Sequence, residues 1–352
     1  MKFEKLEKLP NDGFYTAASL YGVIKNEILL GGGSGFTVPL AEGGAKHLSN
    51  SIRLIENSGK KWIIKDQIKV VNKNLDYKFC NGFSALIDNC IYYFGGLKIE
   101  GNGQIQESSD ILKVWLNAGK IEYKIYENIL PYKGEVTGTT YIDNKVFIIC
   151  KNECFITKII IDSDKDTFET NKIESKDFIV NGAIPCFVNG LIYIIGGYIP
   201  FSKDNPNSNN FLETQLIKFD GASFVREKIE NIEKDPCVFL GGSALTVGNK
   251  VLIVGGVNKK CFQEAIHNLS TLKDNELAEY KKVYFNNSVE WFNFNKKLLS
   301  LDLDSKALHN IGEFDVGFAG NPSFIKIDSK YFILTSEIKA GVRLENPIKF
   351  EL

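Results

Sequence analysis

Four short apolar runs, each ending in a pair of glycines, recur along the chain: EILLGGG at 27–33, CIYYFGG at 90–96, LIYIIGG at 191–197 and KVLIVGG at 250–256. Each has the length and β-branched content of a strand. A two-residue turn signal stands before each, namely Lys25-Asn26, Asp88-Asn89, Asn189-Gly190 and Gly248-Asn249, and six positions separate its second residue from the first glycine of the doublet. Two degenerate copies keep that spacing without the glycines. Asp143-Asn144 leads to Cys150-Lys151, and Asp328-Ser329 leads to Thr335-Ser336. The chain therefore carries six copies of one unit, which constrains its fold more than length or composition does.

Upstream of each turn lie segments rich in small residues, such as GFSAL (82–86), TGTT (137–140), GGSAL (241–245) and AGNPS (319–323). Small side chains suit the place where inner strands converge around an axis. Downstream come two further strand-like segments with turn residues between them, as in ILKVWLNAGKIEYKIYE and KLLSLDLDSKALHNI. Four antiparallel strands per copy make a propeller blade, so we expect an all-β chain forming a single six-bladed β-propeller over residues 1–352. The last copy stops after NPIKFEL (346–352), short of a fourth strand. KFEKLEKL (2–9) is expected to supply it, beside Ile348 to Leu352, so that no sheet edge is left open.

The 42 basic and 43 acidic side chains nearly cancel, which gives no reason to expect a nucleic-acid or membrane partner. Seven cysteines, an odd number with no CxxC pair, suit reduced thiols better than a disulfide framework; Cys150 and Cys154 stand four apart. The first residues, MKFEKLEKLPNDGF, lack the apolar stretch of a signal peptide, and no apolar run approaches the ~20 residues of a membrane span. A cytoplasmic location is the corresponding expectation.

In such a blade the loop after the second strand opens on the same face as the loop between blades. The segments that follow the doublets are long: 34–50, 97–109, 198–212 and 257–296. Long loops on one face of a rigid scaffold are where function usually lives. Helical spacing at Phe262, Ile266 and Leu269, and again at Leu277, Tyr280 and Val283, predicts a helical insertion in the fifth blade over about 261–290, roofing that face. The residues just after the doublets are Ser34, Leu97, Asn152, Tyr198, Val257 and Glu337, and only the sixth is charged. A strand-end glutamate near the axis suits a general acid or base, and Arg343, six residues on, suits a two-pronged grip on a carboxylate. Spacing alone favours a plain loop salt bridge between them. Of the three tryptophans, Trp62 and Trp115 fall in outer strands, and Trp291, at the end of the helical insertion, is the only one worth testing as a stacking platform.

The glycine doublet in this setting is that of Kelch repeats, and ILTSEIKAGVR (333–343) resembles the catalytic stretch of bacterial N-acetylneuraminate epimerases. The likeness extends through NFNKKLLSLD (293–302) and AEGGAKHLSNSI (41–52), with the blades in cyclically permuted order. It implies that Glu337 is catalytic, that Arg343 binds the substrate, and that Glu42 and Lys46 belong to the substrate-binding set. It further implies a mutarotase that interconverts the anomers of sialic acid, a small-molecule sugar acid, without metal or organic cofactor. The alternative is a non-catalytic Kelch-type protein-binding module. A copper radical oxidase on the same fold requires paired histidines, and the chain has only His47, His267 and His309. No metal-ligand spacing is evident in the sequence. Anomerase activity is therefore expected to survive exhaustive EDTA treatment, and a loss restored by one added metal would contradict this.

Overall fold

The computed structural model describes residues 1–151, 155–174, 181–199, 210–211, 215–220, 223–230 and 239–352. Asn152, Cys154 and Cys237 lie outside them. Each sequence copy builds one four-stranded antiparallel sheet. The turn signals work as their chemistry demands: Lys25 and Asn26 (φ 51° and 66°) and Asp88 and Asn89 (φ 49° and 59°) adopt the left-handed backbone that tight hairpins require. The first strands are Leu20–Ile24, Phe83–Ile87, Val136–Ile142, Ile184–Val188, Ser243–Val247 and Phe324–Ile327. Each touches the next, and the sixth touches the first, so that they form a closed ring with the β-propeller arrangement. Small residues are needed there because the strands crowd together: a Cβ on Gly138 would lie 2.5 Å from the Pro185 ring of the neighbouring sheet.

Second strands end at the doublets, and the glycines there have a steric reason. A Cβ on Gly96 (φ 86°) would stand 2.2 Å from the Cys80 carbonyl, in a backbone region that side chains resist. The core is divided into wedges between neighbouring sheets. Leu29 and Leu54 of the first sheet, for example, pack with Ile91, Tyr93 and Leu112 of the second.

The sixth sheet takes its outer strand from the N-terminus. Phe3–Lys5 pairs antiparallel with Ile348–Glu351, with Phe3 opposite Phe350 and Lys5 opposite Ile348. This strand is shorter than the expected Lys2 to Leu9, because Leu6 and Leu9 turn inward. There they are buried with Ile28 and Ile55 of the first sheet and Ile325, Phe332 and Leu334 of the sixth. Phe3 lies against Phe314 and Phe350, with ring centroids 4.3 and 5.3 Å away.

The insertion of the fifth sheet holds three helices, α1 (Lys259–Thr271), α2 (Asp274–Asn286) and α3 (Val289–Phe292). Asn258 caps α1 by accepting from the Cys261 amide, and Ser288 caps α3 by accepting from Trp291. The spacing rule overreached at two positions. Leu269 and Val283 are exposed, and the inward faces carry Phe262, Ala265 and Tyr284 instead. Residues Leu97–Glu100 form no free loop. They join Leu75–Cys80 in a further four-stranded sheet beside the first two copies. Among the described residues, no helix is long and apolar enough to cross a membrane.

Leu6 is 2% exposed, so Leu6→Ala is expected to cost about 2 to 4 kcal/mol. Deleting residues 1–9 removes the strand as well and is expected to cost more. Urea unfolding checks both, and an unchanged midpoint after the deletion would contradict the closure.

Candidate functional site

At one end of the ring axis, where second strands end and first strands begin, the structure leaves a cavity of about 370 Å³. Every sheet contributes through the entry to its first strand: Ala18, Asn81, Glu135, Asn181, Gly241 and Asn321. Ser34, Lys151, Tyr198, Val257 and Glu337, which follow second strands, complete the rim. The volume lies within the range of small-ligand sites.

Glu337 and Arg343 are brought together by a two-stranded ribbon. Glu337–Lys339 pairs with Val342–Arg343, with Glu337 directly opposite Arg343 and Gly341 (φ 80°) in the turn. A spacing of six therefore places both side chains on one face of a hairpin. Glu337 Oε1 accepts from Arg343 Nη1 and from the Gly341 amide (3.2 Å), while Oε2 has no hydrogen-bond partner among the described residues. Arg343 Nε donates to the Ser34 carbonyl at 2.9 Å, and the guanidinium lies 5.1 Å from the centre of the Phe36 ring. These contacts leave Nη2 available. The arginine side chain is 8% exposed and the glutamate 27%, so the pair is held largely out of water yet open to the cavity.

Around the rim lies a second charged group. Lys151 Nζ donates to Glu135 Oε1 at 2.8 Å, and Asn81 Nδ2 donates to Glu135 Oε2. Burial alone would push the Glu135 carboxyl up, but the Lys151 hydrogen bond and charge, the Asn81 amide and the charge of Lys46 together hold it below the usual carboxylate range. Burial likewise opposes the charge on Lys151, and its contact with Glu135 raises it nonetheless. Both partners are thus ionised at neutral pH. Lys46 borders the cavity without an ion pair among the described residues. The charged side chains of the lining are two acids and three bases, which leaves one positive charge in excess.

Phe262, Tyr284, Phe292 and Phe294 from the insertion and its return make an aromatic wall on one side. Burial pushes the Tyr284 hydroxyl well above the ordinary tyrosine range, so it remains a neutral hydrogen-bonding group. Trp291 stands behind this wall against Tyr284 and Phe292 and does not line the cavity. Glu42 is exposed on the short helix Leu40–Glu42, which packs against α2, and it does not line the cavity either.

Of the residues named from sequence, Glu337, Arg343 and Lys46 meet at one cavity and Glu42 stands apart. Sequence reasoning missed Glu135, Lys151 and Asn81. Their signal was nevertheless present, because Lys151 fills the second position of a degenerate doublet, where the regular copies carry glycine.

A family model described as N-acetylneuraminate epimerase matches residues 167–351. The N-acetylneuraminate epimerase of Pasteurella multocida (strain Pm70) is 26% identical over 167 residues, 46% of this chain and 42% of that protein. That of Salmonella paratyphi B is 25% identical over the same shares. The chain thus spans less than half the length of these curated relatives. The solved structure of YjhT aligns with a TM-score of 0.50 at 19% identity over 61% of each chain, a likeness of fold.

The Glu135–Lys151 pair sets a pH expectation. A depressed carboxylate stabilises the fold fully above its unfolded value, about 4.5, and loses that contribution as the pH falls through its folded value. Side-chain exposures of 30% and 47% keep the effect small, within about 1 kcal/mol. The gap in melting temperature between wild type and Glu135→Gln is therefore expected to be constant near neutrality and to close below about pH 4.5. A gap that does not begin to narrow on acidification below about pH 4.5 would contradict the pairing.

Proposed function

Because the chain belongs to the N-acetylneuraminate epimerase family, we propose that it interconverts the α and β anomers of N-acetylneuraminate in the cavity at the ring mouth. The observation that carries this reading is the Glu337–Arg343 pair itself, a carboxylate with one oxygen uncommitted beside a buried guanidinium with one nitrogen uncommitted. Opening the sugar ring needs a base to take the anomeric hydroxyl proton and an acid to protonate the ring oxygen. Closure on the other face reverses these roles. Glu337 Oε2 is the proton carrier in this proposal. Arg343 holds the sugar carboxylate through Nη2 and fixes Glu337 through Nη1, so that the anomeric carbon rests beside Oε2. Lys46 adds the excess positive charge that draws in a monoanion. The aromatic wall offers a surface for the apolar face of the sugar. No step requires a metal or an organic cofactor.

In this reading the six sheets are six Kelch-type blades of one propeller domain, in cyclically permuted order relative to the family. A match that begins only at residue 167 is what a permuted chain gives when it is aligned in sequence order. A propeller tolerates such reordering because each blade keeps the same neighbours wherever the chain is cut.

Glu337→Gln keeps shape and removes the proton carrier, so kcat for anomer exchange, followed by NMR of the anomeric signals, is expected to fall at least ~10²-fold with KM little changed. Arg343→Ala removes both the carboxylate anchor and the tether on Glu337. KM is expected to rise and kcat to fall together. Near wild-type exchange in Glu337→Gln would end the assignment.

A further inference from the structure

Glu135, Lys151 and Asn81 are joined to one another, belong to the same cavity as Glu337 and Arg343, and have no part in the proton transfer just described. They come from the second and third sheets, whereas Glu337 and Arg343 come from the sixth. In a closed ring of six, the third and sixth sheets are three steps apart in either direction, so the two charged groups face each other across the axis. Both occur where the glycine doublet is lost, at Cys150-Lys151 and at Thr335-Ser336 followed by Glu337. Their chemistries differ. The sixth-sheet pair offers a free carboxylate oxygen and a free guanidinium nitrogen, which suits a reacting centre and an anion. The third-sheet group is already neutralised internally, and its carboxylate, ammonium and amide alternate acceptor with donor.

We propose that Glu135, Lys151 and Asn81 form a specificity-determining subsite for the uncharged, hydroxylated tail of the sugar acid; this rests on the reading of the cavity as a mutarotase site. A hydroxyl both donates and accepts. Neighbouring hydroxyls can therefore give to Glu135 and take from Lys151 and Asn81 without disturbing the charge balance. Ionised partners make such hydrogen bonds stronger than neutral ones. A ligand lacking the tail leaves these groups unfilled, and a site built to hydrogen-bond hydroxyls discriminates against analogues without them far more sharply than an apolar pocket discriminates by size.

The test compares anomer exchange, by NMR, of N-acetylneuraminate and of the analogue whose tail has been shortened by mild periodate cleavage and borohydride reduction of a glycoside, which protects the anomeric carbon until the free sugar is released. Wild type is expected to prefer the full-length sugar. In Lys151→Met the ratio of kcat/KM for the full-length over the shortened sugar is expected to fall about tenfold. Asn81→Gly, which preserves the left-handed backbone at that position (φ 57°), is expected to lower it in the same direction and carries the test if Lys151→Met fails to fold. A ratio equal to that of wild type in a folded variant overturns the subsite while leaving the mutarotase reading intact. A wild-type protein that exchanges neither sugar overturns the mutarotase reading, and the subsite falls with it.

Discussion

The pairing of Phe3–Lys5 with Ile348–Glu351 is the constraint on which the rest of the molecule depends. Without it the sixth sheet has three strands and an open edge, and the wedge between the sixth and first sheets loses Leu6 and Leu9. An open sheet edge is a standing invitation to pair with another chain. Closure also fixes the seam between the sixth and first sheets, and the mouth of the ring uses that seam. The Arg343 Nε–H reaches across it to the Ser34 carbonyl, linking residues that are 309 positions apart in sequence. The orientation of the guanidinium beside Glu337 is therefore set by both ends of the chain at once.

The same hairpin that carries Glu337 and Arg343 also holds the roof. Lys339, in its first strand, donates to the carbonyls of Phe285 and Asn287 at 3.0 and 2.6 Å, where helix α2 ends and its last carbonyls lack helical partners. Burial lowers the proton affinity of this lysine from the ordinary lysine range. The aromatic wall contributed by Phe262, Tyr284 and Phe292 is thus mechanically joined to the strand that presents the carboxylate. A shift of the insertion would be felt at Glu337 through two residues of one strand.

The repeat was legible because its signals are local. A turn pair, an apolar run and a doublet at fixed spacing report hairpins, and hairpins of equal length report equivalent sheets. The Glu337–Arg343 contact was legible for a related reason, since six residues in a short hairpin put two side chains on one face. The third-sheet cluster was not, because Asn81, Glu135 and Lys151 come together only through the ring, and nothing in their spacing says that the second and third sheets converge on one rim. Glu42 stands only four residues from Lys46, yet the two side chains part company. The backbone turns at Gly43 (φ 83°), leaving the glutamate on the outside while the lysine borders the cavity. The helix face was partly misread for a similar reason. Periodicity locates a stripe but does not say which neighbour covers it, and Leu269 and Val283 have none.

The two losses of glycine stand on opposite sides of the ring, and this turns the scaffold into a caliper. The jaws are Glu337 with Arg343 on one side and Glu135 with Lys151 on the other, and the span between them is set by the tilt of sheets whose wedges are filled with tightly packed apolar side chains. Packed interiors yield little. A change of side-chain volume deep in a wedge, far from the mouth, would therefore alter its gauge and with it the distance between the two charged groups.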